Sequence, residues 1–167
     1  TCTKNQFLMS VLIASLGLLL PGQVSAQIFT TLHSFSATPV SPPWTNSDGA
    51  DPVDRLTLSG NTLYGTAVIG GSAGVGTVFA VNTDGTGFKN LHSFTAASRP
   101  LYLNNDGASP ASDLLLSGNT LYGTASLGGS SGNGTVFAIN TDGTGFTNLH
   151  SFNGGSEGAS PSAGLIL

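Results

Sequence analysis

The sequence predicts an all-β protein built from β-propeller-like repeats of four antiparallel strands each. The repeats are expected to form an incomplete ring, because the sequence is expected to be a fragment of a longer chain. Two 36-residue blocks, Ser59–Phe94 and Ser117–Phe152, align without a gap at an offset of 58 residues and differ at six positions. Each block contains short apolar runs separated by Gly- and Asn-rich turns, without helical periodicity. Four short strands in a repeat of this length are typical of one propeller blade.

The strands of the first repeat are predicted from the apolar runs between turn residues. A leading strand is predicted over Ile28–Phe35, followed by a turn at Asp48–Pro52. Hairpins are predicted around Gly60-Asn61 and Thr83–Gly87, because Gly and Asn accept the positive φ angles that tight turns require. The predicted strands of the repeat itself are Arg55–Ser59, Thr62–Ala67, Gly76–Asn82 and Phe88–Phe94.

The same order recurs in the second repeat, with a turn at Asp106–Pro110. Its predicted strands are Asp113–Ser117, Thr120–Ala125, Gly134–Asn140 and Phe146–Phe152. A third pass begins at Gly158 and reaches the strand position Leu165–Leu167. Because a propeller has about 4–8 blades, further copies are expected in a full-length protein. A β-solenoid and a β-sandwich are the alternatives with the same strand content.

The first 26 residues predict a secretory signal peptide. Lys4 supplies a positive start, Phe7–Leu20 is an uncharged apolar run, and Val24-Ser25-Ala26 has the small residues of a cleavage site. The alternative is an uncleaved membrane anchor.

The predicted organisation is a signal peptide at 1–26 and a tandem β-repeat region at 27–167. That region divides into a partial repeat 27–35, repeats at about 36–94 and 95–152, and a truncated repeat 153–167. Secretion or cell-surface location follows, with no stable membrane span after cleavage.

Composition excludes some classes of partner. The chain carries four Lys and Arg against eight Asp and Glu, a formal net charge of −4. Nucleic acid is therefore not expected as a partner, because phosphate binding needs clustered basic side chains. The one cysteine, Cys2, lies in the signal segment, so no disulfide is expected in the mature protein.

The repeated motifs are specific as a set. Both repeats contain Asn-x-Leu-Tyr-Gly-Thr, Gly-Gly-x-x-Gly-x-Gly-Thr-Val-Phe and Leu-His-Ser-Phe, and Asp-Gly-Ala-x-Pro precedes each of them. Over residues 28–167 the chain resembles the GloVer tandem repeats, which occur in secreted bacterial proteins with assorted C-terminal surface anchors. The resemblance implies a secreted or cell-surface repeat protein of undefined biochemical function, and it implies no catalytic residues.

The loops after Leu-His-Ser-Phe are the predicted place for partner contacts. They vary in length between copies while the strands keep their register, and variable loops on a constant scaffold commonly carry binding residues. Trp44, Arg99 and Tyr102 lie in these loops and are the predicted partner-binding residues. An extracellular glycan or a surface protein is the expected partner. The alternative is that these side chains only pack on the sheet.

Other polar residues are predicted to be structural. His33, His92 and His150 recur once per repeat, and each ring is expected to bond within its own blade rather than bind a metal. The oxygen-rich segments Asn82–Gly87 and Asn140–Gly145 are predicted to be hairpin turns, with a calcium loop as the alternative. No metal and no cofactor are predicted, and the glycine runs lack the remaining residues of a phosphate-binding loop.

These observations predict a non-enzymatic exported repeat scaffold for extracellular interaction, with no catalytic residues. One alternative is a fragment of a propeller enzyme that acts on extracellular polysaccharide, and another is a purely structural surface-layer component. The enzyme would use a pair of carboxylates near the turns. The candidates for such a pair, all expected instead to be turn formers or solubilising charges, are Asp48, Asp51, Asp54, Asp106 and Asp113.

Overall fold

The computed structural model of the chain describes residues 29–166. The chain divides into two compact units, Thr1–Thr30 and Thr31–Leu167, and the account below concerns the second. The predicted signal peptide, residues 1–26, lies outside the described residues. The regular elements of the described part are all strands, and no helix within residues 29–166 is long and apolar enough to cross a membrane.

The first repeat forms a four-stranded antiparallel sheet in the order β1-β2-β3-β4. Its strands are β1 (Thr57–Ser59), β2 (Thr62–Ala67), β3 (Thr77–Asn82) and β4 (Lys89–Ser93). Ser59 pairs with Thr62 across the turn, where Gly60 has a φ of 56°. The first predicted hairpin is therefore confirmed, because glycine adopts this left-handed conformation without steric cost.

The second repeat forms a sheet of the same design with one added strand. Its strands are β5 (Ala108–Pro110), β6 (Leu115–Ser117), β7 (Thr120–Leu127), β8 (Thr135–Asn140) and β9 (Thr147–Ser151). Strands β7, β8 and β9 are adjacent, and both β5 and β6 pair with β7. The sequence predicts only a turn where β5 lies. The strand forms because β7 extends far enough for Leu127 and Ala125 to pair with it.

The predicted strand over residues 28–35 is wrong for its described part, since residues 29–35 adopt no strand. A strand needs a neighbour for its backbone hydrogen bonds, and no strand of the described chain pairs with this segment. Leu165 and Ile166 also lie outside any strand, so the strand expected in the third pass is not observed in the described residues.

The two sheets share one hydrophobic core. Its buried side chains come from both repeats: Tyr64, Val78, Ala80, Leu91, Phe94, Leu114, Leu121, Ala125, Phe137 and Ile139. Because each sheet contributes about half of this core, each repeat is covered by its neighbour along the chain. Consecutive antiparallel sheets packed in this way are the arrangement of propeller blades. The described fold is thus all-β and propeller-like, with two sheets of an incomplete ring, as predicted.

Candidate partner-binding cleft

An asparagine fixes the shape of the loop that leads into the first repeat. The Asn46 side-chain oxygen accepts hydrogen bonds from the backbone N–H groups of Gly49 and Gly71, each at 2.8 Å. Its amide group donates to the carbonyl oxygens of Ser36 (2.9 Å) and Gly49 (2.7 Å). One side chain therefore joins both ends of the loop to the glycine-rich connection between β2 and β3.

Asn104 does the same for the loop that leads into the second repeat. Its oxygen accepts from the N–H groups of Gly107 (3.0 Å) and Gly129 (2.9 Å), and its amide donates to the carbonyl oxygens of Thr95 and Gly107. The sequence reasoning did not single out either asparagine. The sequence feature that could have identified them is the motif Asn-x-Asp-Gly, which both loops contain although their lengths differ by one residue.

These anchored loops place the three predicted binding residues around one cleft. Trp44 and Tyr102 each stand two residues before the loop asparagine, and Arg99 belongs to the second loop. The cleft has a volume of about 410 Å³. Its apolar walls come from both loops, from the glycine-rich connection of the first repeat and from the end of β7: Pro42, Pro43, Trp44, Ile69, Ala73, Val75, Ala96, Ala97 and Leu127.

Gly74 allows the first loop to approach the first repeat closely. A Cβ atom at Gly74 would lie 2.8 Å from the backbone nitrogen of Trp44, and the residue has a φ of 75°. Any L-amino acid would be both strained and obstructed there. The glycine-rich connection therefore serves the cleft by letting the Trp44 backbone lie against it.

Arg99 and Tyr102 form a preassembled pair at the cleft. The guanidinium carbon of Arg99 lies 5.0 Å from the centre of the Tyr102 ring, within the distance of a cation–π interaction. Arg99 is exposed, whereas Trp44 and Tyr102 are half-buried. Among the lining residues in the described chain, Arg99 is the one with a charged side chain. The cleft thus combines two aromatic side chains, apolar walls and one cation.

The histidines join consecutive repeats. His33 Nε2 lies 3.1 Å from Asp48 Oδ2, and the ring stacks on Phe88 with a centroid distance of 3.6 Å. His92 repeats this arrangement with Asp106 at 3.0 Å and Phe146 at 3.8 Å. The expectation that each ring bonds within its own blade is therefore corrected, because its partners belong to the repeat that follows. In residues 29–166 no three His, Cys, Asp or Glu side chains cluster as a metal site would require.

The two aspartates in these pairs have lowered pKa values. Burial by itself raises the pKa of Asp106, but donation from His92 and from the Thr95 hydroxyl and N–H group outweighs burial and lowers it. Asp48 has a lowered pKa for the same reason, with donors from Ser36 and His33. Hydrogen bonds to a carboxylate favour its ionised form, so both groups hold their loops as anions at neutral pH.

The carboxylates of the second hairpins are engaged within their own turns. Asp84 Oδ1 accepts from the Thr86 N–H group at 2.9 Å and from its hydroxyl at 2.7 Å. Asp142 has the same two bonds to Thr144, at 2.8 and 2.7 Å. These donations from the threonine lower the pKa of each aspartate. The predicted hairpin turns are present, and each carboxylate has a local structural role.

The other candidate carboxylates lie away from the cleft. Asp113 binds the exposed Arg55 at 2.9 Å, which links the segment before β1 to the segment before β6. Burial raises the pKa of Asp54, a shift that the Thr66 hydroxyl partly opposes. None of the five carboxylates named as a possible catalytic pair is among the residues that line the cleft in the described chain.

Comparison with known families adds one finding. A family model described as the Gloeobacter/Verrucomicrobia repeat matches residues 23–167. The match covers most of the chain, including both sheets and both cleft loops. Neither curated proteins nor solved structures give a match.

Proposed function

The chain belongs to the Gloeobacter/Verrucomicrobia repeat family, the GloVer repeats that its motifs resemble, and from this premise we propose a non-enzymatic, exported repeat scaffold that binds an extracellular glycan. The observation that carries the proposal is the cleft where Trp44 and Tyr102, from corresponding positions of consecutive loops, meet Arg99. The strands and turns supply the scaffold, and the loops supply the chemistry that distinguishes one binding site from another.

The size and lining of the cleft suit a short stretch of glycan. Its volume of about 410 Å³ is within the range of about 300–1,000 Å³ for small-molecule sites. A sugar ring has a face of C–H groups, and contact with the Trp44 or Tyr102 ring removes apolar surface of both from water. Asn46 and Asn104 already hold the backbones of the two loops, and Arg99 lies against the Tyr102 ring, so less conformational entropy is lost on binding than for free loops.

The single cation favours an acidic sugar. A guanidinium group binds a carboxylate through two parallel charge-assisted hydrogen bonds, and a neutral sugar has no anionic acceptor for such a pair. Arg99 is exposed at the cleft and has no carboxylate beside it among the lining residues of the described chain. We therefore expect a glycan that contains uronic acids to bind more tightly than a neutral one.

Export is part of the same proposal. Residues 1–26 have the charge, apolar run and small-residue site of a signal peptide, and the family resemblance implies secreted or surface proteins. A glycan outside the cell would then be accessible to the cleft. The predicted lack of enzymatic activity belongs to the proposal as well.

The binding test uses the intrinsic fluorescence of the protein, because Trp44 is its one tryptophan. Titration with polygalacturonate, a uronic acid polymer, should change the Trp44 emission in a saturable way, and dextran, a neutral polymer, should bind more weakly. Tyr102→Ala should weaken the polygalacturonate affinity by about two- to tenfold, which corresponds to the free energy of one stacking contact, about 0.5–1.5 kcal/mol. Arg99→Ala should remove the preference for polygalacturonate over dextran.

Arg55→Ala is the matched control, because Arg55 is also an exposed arginine but lies outside the cleft. It should leave the affinity unchanged at constant salt. An equal loss of affinity in both arginine variants would contradict binding in the cleft and would indicate long-range electrostatic attraction. No change in Trp44 emission and no heat of binding with either polymer would contradict the glycan proposal, and a surface protein would then be the partner to seek. Release of new reducing ends from polygalacturonate would show the enzymatic alternative.

A further inference from the structure

The differences between the two repeated blocks are concentrated in the cleft. The first block contributes four lining residues: Ile69, Ala73, Gly74 and Val75. Three of these four differ from their counterparts in the second block, whereas the whole remainder of the block contains only three further differences. Gly74 is unchanged, and the close approach of the Trp44 backbone requires a glycine there. The scaffold is therefore repeated almost unchanged, while the side chains that line the cleft are not.

The backbone beneath these side chains is the same in both repeats. Val75 and Asn133 occupy corresponding positions, and each forms a parallel bridge with the first glycine of its connection. The Val75 carbonyl oxygen accepts a hydrogen bond from the Ser109 N–H group at 2.8 Å, and the Asn133 carbonyl oxygen accepts one from Ser160 at 2.8 Å. The chain itself therefore builds this backbone with either a valine or an asparagine at the same place.

The three positions that differ form an apolar wall in the cleft. We call Ile69, Ala73 and Val75 the variable wall; each of these side chains is half-buried. The second repeat has a leucine, a serine and an asparagine at the same positions. Ala96 and Ala97 of the second loop add further apolar surface to the cleft. The first repeat is thus apolar at all three positions, whereas the second repeat is polar at two of them.

The polarity at the position of Val75 changes together with the loop beside it. The Asn133 amide donates to the Ser131 carbonyl oxygen at 3.1 Å, and a Cβ atom at Gly154 would lie 2.7 Å from the same amide nitrogen. Gly154 is the counterpart of Ala96, which lines the cleft together with Val75. The polar side chain thus lies beside a glycine in one repeat, and the apolar side chain shares its cleft with an alanine in the other.

An apolar wall favours methyl groups over hydroxyl groups. A sugar hydroxyl group against Ile69 or Val75 would lose hydrogen bonds to water without gaining a partner. A methyl group at the same place removes apolar surface from water. An acetyl ester supplies such a methyl group and leaves the sugar carboxylate free to bind Arg99, whereas a methyl ester would neutralise that carboxylate. An acetamido group would add an N–H donor, for which the variable wall has no side-chain acceptor.

We propose that Ile69, Ala73 and Val75 are the specificity-determining residues of the cleft and that they select a uronic acid glycan that carries acetyl esters. The inference rests on the proposed function, because it concerns the ligand of the same cleft. Arg99 binds the carboxylate of the sugar, and the variable wall contacts the methyl group of the ester. Serine and asparagine at the same positions would instead favour free hydroxyl groups.

The test compares polygalacturonate with the same polymer after partial O-acetylation, in titrations of the full chain followed by the Trp44 emission. The unmodified chain should bind the acetylated polymer about three- to fourfold more tightly, the gain expected when one methyl group is buried. Val75→Asn introduces the residue of the second repeat and should reduce this ratio to about one. Ala73→Ser should lower the ratio in the same direction. Both variants should still bind polygalacturonate, because Arg99 and the aromatic side chains are retained.

Val68→Ser is the matched control. It also replaces an apolar residue of the first block by its polar counterpart in the second, but Val68 lies outside the cleft lining of the described chain. The ratio of the two affinities should therefore stay at its value in the unmodified chain. Circular dichroism checks that each variant is folded, and if Val75→Asn is not folded, Ala73→Ser decides the result.

The outcomes separate this inference from the proposed function. Equal binding of the two polymers by the unmodified chain would overturn the inference and leave the glycan proposal standing. A ratio that stays unchanged in folded Val75→Asn would do the same, as would an equal fall of the ratio in Val68→Ser. Absence of binding to both polymers would overturn both proposals, because the inference requires a glycan in the cleft.

Discussion

Phe94 and Phe152 stand at the same position of the repeat, yet Phe94 is completely buried and Phe152 is only partly buried. Phe94 lies between two repeats, 5.3 Å from the Phe137 ring and 5.8 Å from the Phe146 ring. Phe152 has one aromatic contact in the described chain, with His150. The comparison shows that an identical motif is stabilised to a different extent according to whether a further repeat covers it.

The same contrast holds at two neighbouring positions. A Cβ atom at Gly107 would collide with the Thr135 hydroxyl and lie 2.9 Å from Ala125, whereas nothing lies within 4 Å of the same point at Gly158. Asp106 is a buried partner of His92, while the corresponding Glu157 is exposed. The covered copies of the motif are therefore expected to carry most of the stability.

The largest expected difference is between the two phenylalanines. Phe94→Ala should lower the free energy of unfolding by about 3–5 kcal/mol, because it leaves a cavity between the repeats. Phe152→Ala should lower it by about 1 kcal/mol or less, since its ring is partly in water already. Urea denaturation followed by circular dichroism measures both. Equal losses would mean that the two copies of the motif are not distinguished by burial.

A smaller difference is expected between the two glycines. Gly107 has a φ of 106° and a crowded site, so Gly107→Ala combines backbone strain with a collision and should cost about 3 kcal/mol. Gly158 has a φ of 82° in open space, so Gly158→Ala should cost about 1 kcal/mol from strain alone. Thermal unfolding of the two variants compares them directly. A lower melting temperature for Gly158→Ala would reverse the comparison.

The smallest effect is expected in the pH dependence. The pKa of Asp106 is lower in the folded chain than its ordinary value of 3.8, so its stabilising effect is complete above that value and is lost as the pH falls through the folded pKa. The unmodified chain should therefore be more stable than Asp106→Asn at pH 6, and the difference should narrow below about pH 4. Urea denaturation at a series of pH values measures it.

Glu157→Gln is the control for this measurement. Glu157 lies 3.4 Å from His150, and both side chains are nearly half exposed. A surface pair of this kind contributes little to stability. The substitution should therefore leave the pH profile unchanged. A difference between the unmodified chain and Asp106→Asn that stays constant from pH 6 to pH 3 would contradict the assigned role of the Asp106 carboxylate.

The hairpins were predictable because their turns depend on local chemistry. Gly60 and Gly118 have φ angles of 56° and 59°, and both stand where the sequence predicts a two-residue turn. The sequence predicts a leading strand that the structure does not show, because residues 29–35 have the composition of a strand but no neighbouring strand to pair with. Strand β5 was also missed, since its three residues depend on the length of β7.

The candidate site was predictable residue by residue but not as a place. The loop lengths and the aromatic and arginine residues single out Trp44, Arg99 and Tyr102, and their binding of a partner stays a prediction. That these three side chains line one cleft depends on Asn46 and Asn104, which fold the two loops back onto the glycine-rich connections. No local pattern specifies such contacts between segments that are distant in sequence.

The sequence alone determined the repeat, the four strands that both repeats share, the hairpin turns and the family, because these depend on residue type and spacing over a few neighbours. The tertiary structure decided which copies of Leu-His-Ser-Phe are covered, which partners the histidines have and where the loops meet. The physical reason is that burial and ring stacking are properties of two surfaces in contact. Identical residues at Phe94 and Phe152 therefore have different environments, which only their neighbours in space define.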